Sequence, residues 1–169
     1  MNGYGMNAVP VLEQILQAKD NLIEKKAALF SVQFVYQPKS AEDVALKVEQ
    51  AMKLYNLAAK APETEIRLFA IEFIAATNSS DSFGSLRDIY EQDADLQVRL
   101  TALNKIGFFQ TDAAEALINK AAADTNPTIQ TYALQLKASR ADMIAKYEAQ
   151  QAVNPKPVTG SVKHTGKNA

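Results

Sequence analysis

Three stretches of this chain superpose on one another, and that repetition constrains the fold more than any other feature. They are Glu63-Thr64-Glu65-Ile66-Arg67-Leu68-Phe69-Ala70-Ile71, Asp95-Leu96-Gln97-Val98-Arg99-Leu100-Thr101-Ala102-Leu103 and Asn126-Pro127-Thr128-Ile129-Gln130-Thr131-Tyr132-Ala133-Leu134. The alanines at 70, 102 and 133 are 32 and then 31 residues apart. Each stretch follows another amphipathic helical pattern, so the repeating unit is a pair of helices. One such pair cannot cover its own apolar face, whereas stacked pairs bury a continuous core.

Periodicity predicts seven helical segments. The first follows Pro10, a residue suited to the first turn, and carries Leu12, Ile15, Leu16, Leu22, Ile23, Ala27 and Phe30 on one broad face until Pro38 stops it. Ser40 and Asp43 read as a capping-box pair before a second helix, whose stripe is Val44, Val48, Ala51, Met52, Tyr55 and Leu57. Pro62 opens a third helix, which ends in Thr77-Asn78-Ser79-Ser80-Asp81. A short fourth runs from Phe83 to Tyr90, and a fifth from Asp95 to Gly107, a candidate left-handed terminator. Asp112 and Glu115 read as a second capping box opening a sixth helix. Asn126-Pro127, a cap followed by a first-turn proline, opens a long seventh.

The stretch Asp95 to Gly107, followed by Thr111 to Gln130, resembles HEAT repeats. It is similar above all to the short HEAT-like units of phycobiliprotein lyases and many scaffolds, with their Asp-x-x-Val-Arg-x-x-Ala-Leu-x-x-Ile-Gly pattern. The likeness covers residues 40 to 140 and is clearest in the middle repeat. It implies an all-α fold: an α-solenoid of about three helical pairs (40–77, 81–109 and 112–150) behind an N-terminal capping helix (1–38). Residues 1–152 then form one domain. Residues 153–169 form a basic, low-complexity tail too poor in apolar side chains to order itself. Glu63 and Arg67, Asp95 and Arg99, and Asn126 and Gln130 stand four residues apart at helix starts, where an acid suits the dipole and reaches a base one turn later. The resemblance implies that such pairs ladder between neighbouring repeats, and all six residues are expected to be structural.

Charge narrows the function. Eighteen Lys and Arg nearly cancel nineteen Asp and Glu. The tail holds Lys156, Lys163 and Lys167 without an acid, which leaves −4 on residues 1–152. A nucleic-acid binder needs excess cations to displace counterions from phosphates, so nucleic acid is not the expected partner. No apolar run approaches the roughly 20 residues of a membrane span. Met1 to Pro10 lacks the basic and apolar regions of a secretory signal. The expected compartment is the cytoplasm, with export after removal of a signal as the alternative.

Composition also removes most chemistry. With no cysteine, disulfides, iron–sulfur clusters and thiolate zinc sites are excluded. The single histidine, His164, lies in the tail, so histidine-based triads and metal sites have no framework. Gly160 to Lys167 fails as a phosphate loop, with five residues between its glycines and Asn168 where a hydroxyl is needed. No catalytic, cofactor or metal residues are therefore expected.

Three places remain for partner contacts. One is the concave face lined by the second helix of each pair, where Glu72, Asn104 and Gln135 are equivalent and Lys105 is adjacent. Another is Phe30 to Tyr36, whose alternation of Phe30, Val32, Phe34 and Tyr36 fits either a buried helix end or an edge-adding strand. The third is the tail with its three lysines. The function expected is a non-enzymatic scaffold, adaptor or accessory subunit that binds another protein. The alternative is a HEAT-like lyase or chaperone acting on a partner protein or its chromophore.

Overall fold

Apolar residues at intervals of three and four, broken by Pro, Asn and Asp caps, produce helices throughout the computed structural model. It describes residues 8–18, 21–35 and 43–153. Among them are α1 (Val9–Gln17), α2 (Leu22–Val35), α3 (Asp43–Ala58), α4 (Thr64–Thr77), α5 (Ser82–Gln92), α6 (Leu96–Ile106), α7 (Asp112–Ala121) and α8 (Pro127–Val153), with no strand. The chain is all-α.

The single N-terminal helix expected before Pro38 is two helices. Ala18 leaves helical geometry at ψ 144°. Asn21 starts the next helix: its Oδ1 accepts from the Glu24 amide at 3.1 Å, and its carbonyl from the Lys25 amide at 3.0 Å. Asn-x-x-Glu is a helix-start signature, and it overrides the apparent continuity of the apolar stripe. The stripe itself divides. Leu12 and Leu16 are buried on α1, but α2 buries Lys25, Ala28, Leu29 and Val32 and turns Ile23 and Phe30 outward.

Three smaller corrections share this local logic. The cap of α7 is Thr111, whose hydroxyl accepts from the Ala114 amide at 3.2 Å, rather than Asp112. Gly107 is not left-handed: it closes α6 at φ −54°. A Cβ there would stand 2.6 Å from Leu136 Cδ1 and 2.9 Å from the Asn104 carbonyl, so the glycine is required by the close approach of α8. Residues Phe30 to Val35 continue α2, and the strand alternative does not hold there. The left-handed terminator lies elsewhere, at Asn78 (φ 48°, ψ 36°) after α4. Ser40 lies outside the described residues.

Helices pack on neighbours in sequence, and α1 also packs on α3. Each odd helix packs on the even helix after it, and the even helices pack in succession, α2 on α4, α4 on α6 and α6 on α8. The seventh residues of these even helices, Ala28, Ala70, Ala102 and Ala133, are all buried. Small side chains there let neighbouring helices approach closely. Leu54, Ile66, Ile71, Ile74, Leu86, Leu103, Ile106 and Ile118 fill the core between them. Full burial of one such side chain contributes about 1.5–3 kcal/mol. Tyr55 stacks on Phe73 with centroids 5.3 Å apart and planes 11° apart, and burial pushes its hydroxyl up to about 12.

Candidate functional site

The charged residues at the starts of the even helices make their contacts with other elements, not one turn along their own helices. Lys25, Arg67, Arg99 and Gln130 are each the fourth residue of α2, α4, α6 and α8. The Lys25 ammonium, on a side chain only 1% exposed, donates to both carboxylate oxygens of Glu63 at 2.8 and 3.0 Å. Arg67 donates to Asp93 through Nε at 2.8 Å and through its second terminal nitrogen at 3.2 Å, and to the carbonyls of Ala61 and Pro62 at 3.0 Å each. Arg99 donates from Nε to the Tyr90 carbonyl at 2.9 Å and lies 3.8 Å from Asp124 and 5.4 Å above the Tyr90 ring.

The side chains of residues four apart at the helix starts are not each other's hydrogen-bond partners. Glu63 takes Lys25, Arg67 takes Asp93, and Asp95 caps its own helix through the amides of Gln97 and Val98 while accepting from the Thr64 hydroxyl at 3.0 Å. Asn126 likewise caps α8, accepting from the amides of Thr128 and Ile129, and Gln130 is exposed. Arg67 thus ties the carbonyls just before its own helix to the Asp93 carboxylate before α6. The hydrogen bond from Lys25 holds the Glu63 carboxyl below the ordinary carboxylate range, and the Thr64 hydroxyl does the same for Asp95.

Sequence reasoning passes over Lys25, Asp93 and Asp124. The aspartates carry a usable signal. Each stands two residues before a cap, in Asp93-Ala94-Asp95 and Asp124-Thr125-Asn126, and each accepts from that cap's amide at 2.8 Å. Lys25 carries one as well, four residues after Asn21 as Arg99 is after Asp95.

Four of the residues expected to meet a partner, Glu72, Asn104, Lys105 and Gln135, lie on even helices, and two of them come together. Glu72 of α4 and Lys105 of α6 pair at 2.6 Å. They line a groove of about 480 Å³ with Asn78, Phe108, Phe109 and Gln110. Phe108, to which no sequence pattern points, is 68% exposed at its edge. Phe69 and Phe30 are also exposed, with the Lys26 ammonium 5.3 Å above the Phe69 ring. Asn104 donates to the Tyr132 hydroxyl, and Gln135 is exposed on α8, apart from the groove. The Phe34 side chain, Tyr36, Lys156, Lys163, His164 and Lys167 lie outside the described residues.

A second cleft, of about 690 Å³, is lined by Asn56, Lys60, Arg67, Asp88, Gln92 and Asp93 among others. Two of its charges, Arg67 and Asp93, pair with each other. Among the described residues no group of three or more His, Asp or Glu is placed to hold a metal ion, and no helix is long and apolar enough to cross a membrane. No protein-family model, curated protein or solved structure matches this chain.

Proposed function

We propose that this chain is a non-catalytic protein-binding module, a HEAT-like α-solenoid that engages its partner on the exposed face of its even helices. The helix-on-helix succession supports four stacked hairpins, one more than the spacing of the alanines suggests. The first hairpin, α1–α2, follows the same register as the others: a polar cap at Asn21, a basic fourth residue at Lys25 and a buried alanine at Ala28. It escapes a search for the period because Ala28 and Ala70 are 42 residues apart.

The observation that carries the binding reading is Phe108 beside the Glu72–Lys105 pair. A large aromatic side chain 68% exposed at the rim of a concave groove, with an ion pair to orient a partner, has the makeup of an interface hot spot. The absence of cysteine and the single tail histidine in the sequence speak against catalysis. The test is affinity capture with wild-type protein, Phe108→Asp, and the control Glu115→Lys on α7. The reading expects one stoichiometric protein retained by wild type and control and lost by Phe108→Asp, at unchanged melting temperature. Equal capture by all three would remove the groove from the binding surface. A pigment or other small molecule co-purifying in its place would favour the lyase alternative.

A further inference from the structure

We propose that the groove between α4 and α6 receives an arginine side chain from a basic segment of the partner protein. The inference rests on the binding reading above and names the chemistry that the same groove recognises.

Both even helices end at this groove, and their ends differ. Lys105 stands in the last turn of α6. The Arg140 guanidinium reaches over from α8 and donates to the carbonyls of Gly107 and Phe109, the latter at 2.9 Å. Cations thus cover the electronegative end of α6. The last turn of α4 carries no base. Asn78 ends that helix in the left-handed region with its amide on the Ala75 carbonyl at 3.3 Å. The carbonyls of Ala76 and Thr77 accept from no backbone amide among the described residues. Ala75, Ala76 and Asn78 line the groove, so the uncovered end of α4 opens into it.

The side chains around that end favour a cation. Glu72 gives one carboxylate oxygen, Oε2, to Lys105 at 2.6 Å, yet it stays 56% exposed where Lys105 is 22% exposed. An incoming cation therefore meets an accessible carboxylate. An incoming acid would meet that carboxylate and the α4 carbonyls together. Asp81 and Asp112, the first charged residues along the two loops that bound the groove, are also acidic and exposed. Phe108 adds an aromatic ring at the rim.

The chain uses this combination on itself. The Lys26 ammonium pairs with Glu65 and lies 5.3 Å from the centre of the Phe69 ring. Arg99 lies over the Tyr90 ring with Asp124 at 3.8 Å. In the groove, Phe108 and Glu72 offer a ring and a carboxylate again. Arginine suits them better than lysine, because a planar guanidinium stacks on a ring while its N–H fork reaches carboxylate and carbonyl oxygens at once. Ala75, Ala76 and Phe109 suit aliphatic residues on either side of that arginine.

Amide NMR titration of the full chain with the blocked peptide Ala-Leu-Arg-Leu-Ala, beside the same peptide carrying citrulline in place of arginine, tests this. The expected result is saturable shifts at Asn78 and at Lys105 to Gln110 with the arginine peptide, weakened by added salt, and none with the citrulline peptide. Glu72→Gln and Phe108→Ala are each expected to weaken binding by about two- to five-fold. Lys105→Met frees the whole Glu72 carboxylate and is expected to tighten binding by about two- to five-fold, a gain that no loss of structure produces. Equal shifts from the two peptides, no shift from either, or weaker binding by Lys105→Met overturns the inference. If the captured partner still depends on Phe108 in that event, the binding reading stands and only the arginine falls. Capture that ignores Phe108 removes the binding reading instead.

Discussion

The buried Lys25–Glu63 pair makes an asymmetric prediction. At 2.8 Å and an effective dielectric near 20, the gross attraction is about 6 kcal/mol. Desolvation costs several kcal/mol for each ion, and Lys25 bears most of it, because its side chain is 1% exposed against 27% for Glu63. The net worth of the pair is therefore near zero, while the cost of stranding its buried member is large. Glu63→Ala leaves an unpaired ammonium in the core and is expected to cost about 3 kcal/mol. Lys25→Met removes the buried charge, keeps the volume, and leaves Glu63 at the surface, so it is expected to fall within about 1 kcal/mol of wild type. For a chain of this size those values lower the melting temperature by about 6–12 °C and by no more than about 4 °C. Thermal melts followed by circular dichroism read both. The pH dependence supplies a second check. Because Glu63 is held below its ordinary value of 4.5, its contribution is present above that pH and is lost as pH falls through the depressed folded value. Wild type should then lose stability in acid more steeply than Lys25→Met. Equal costs for the two substitutions, or parallel acid profiles, would refute the reasoning.

Other expectations follow from single positions. Gly84 lies in α5, and a Cβ added there would meet nothing within 4 Å, so Gly84→Ala should stabilise by about 0.5–1 kcal/mol. Gly107→Ala should destabilise by about 1–3 kcal/mol, because its methyl meets Leu136 and the Asn104 carbonyl; urea titration of the two variants gives opposite signs. Ala102→Leu should cost about 1–3 kcal/mol at a position 0% exposed between packed helices, and an unchanged melting temperature would mean that the register is wrong. The Tyr55 hydroxyl is raised to about 12, so stability should fall as pH climbs above 10 toward 12; Tyr55→Phe should remove that part of the loss.

Much of this architecture is legible in the sequence, and particular residues explain what is not. The seven-residue offset from cap to alanine in α4, α6 and α8 marks three even helices directly. The same offset from Asn21 to Ala28 is hidden by the stripe Leu12 to Phe30, in which apolar residues on α1 and outward-facing ones on α2 happen to share helical phase across a break. Capping chemistry at Asn21 breaks the helix, and periodicity cannot see that. Spacing places the polar residues on helix starts but does not name the residue each one reaches. The base one turn away lies within reach along the helix, whereas Arg67 is held by the part-buried carboxylate of Asp93, just before α6, with two hydrogen bonds. The groove shows the same limit. Glu72 and Lys105 are legible as outward positions, but their pairing across helices, and the exposure of Phe108 beside them, depend on how α6 lies against α4.

The central claim is that these charged residues weld successive hairpins into one array, and a pair of double-mutant cycles measures it directly. The cycle on Arg67 and Asp93, whose side chains are 14% and 9% exposed, is expected to give a coupling of about 1–3 kcal/mol. The cycle on Glu63 and Arg67 at the start of α4 is expected to give no more than about 0.5 kcal/mol. Strong coupling inside the helix with none between Arg67 and Asp93 would contradict the stacked-hairpin account.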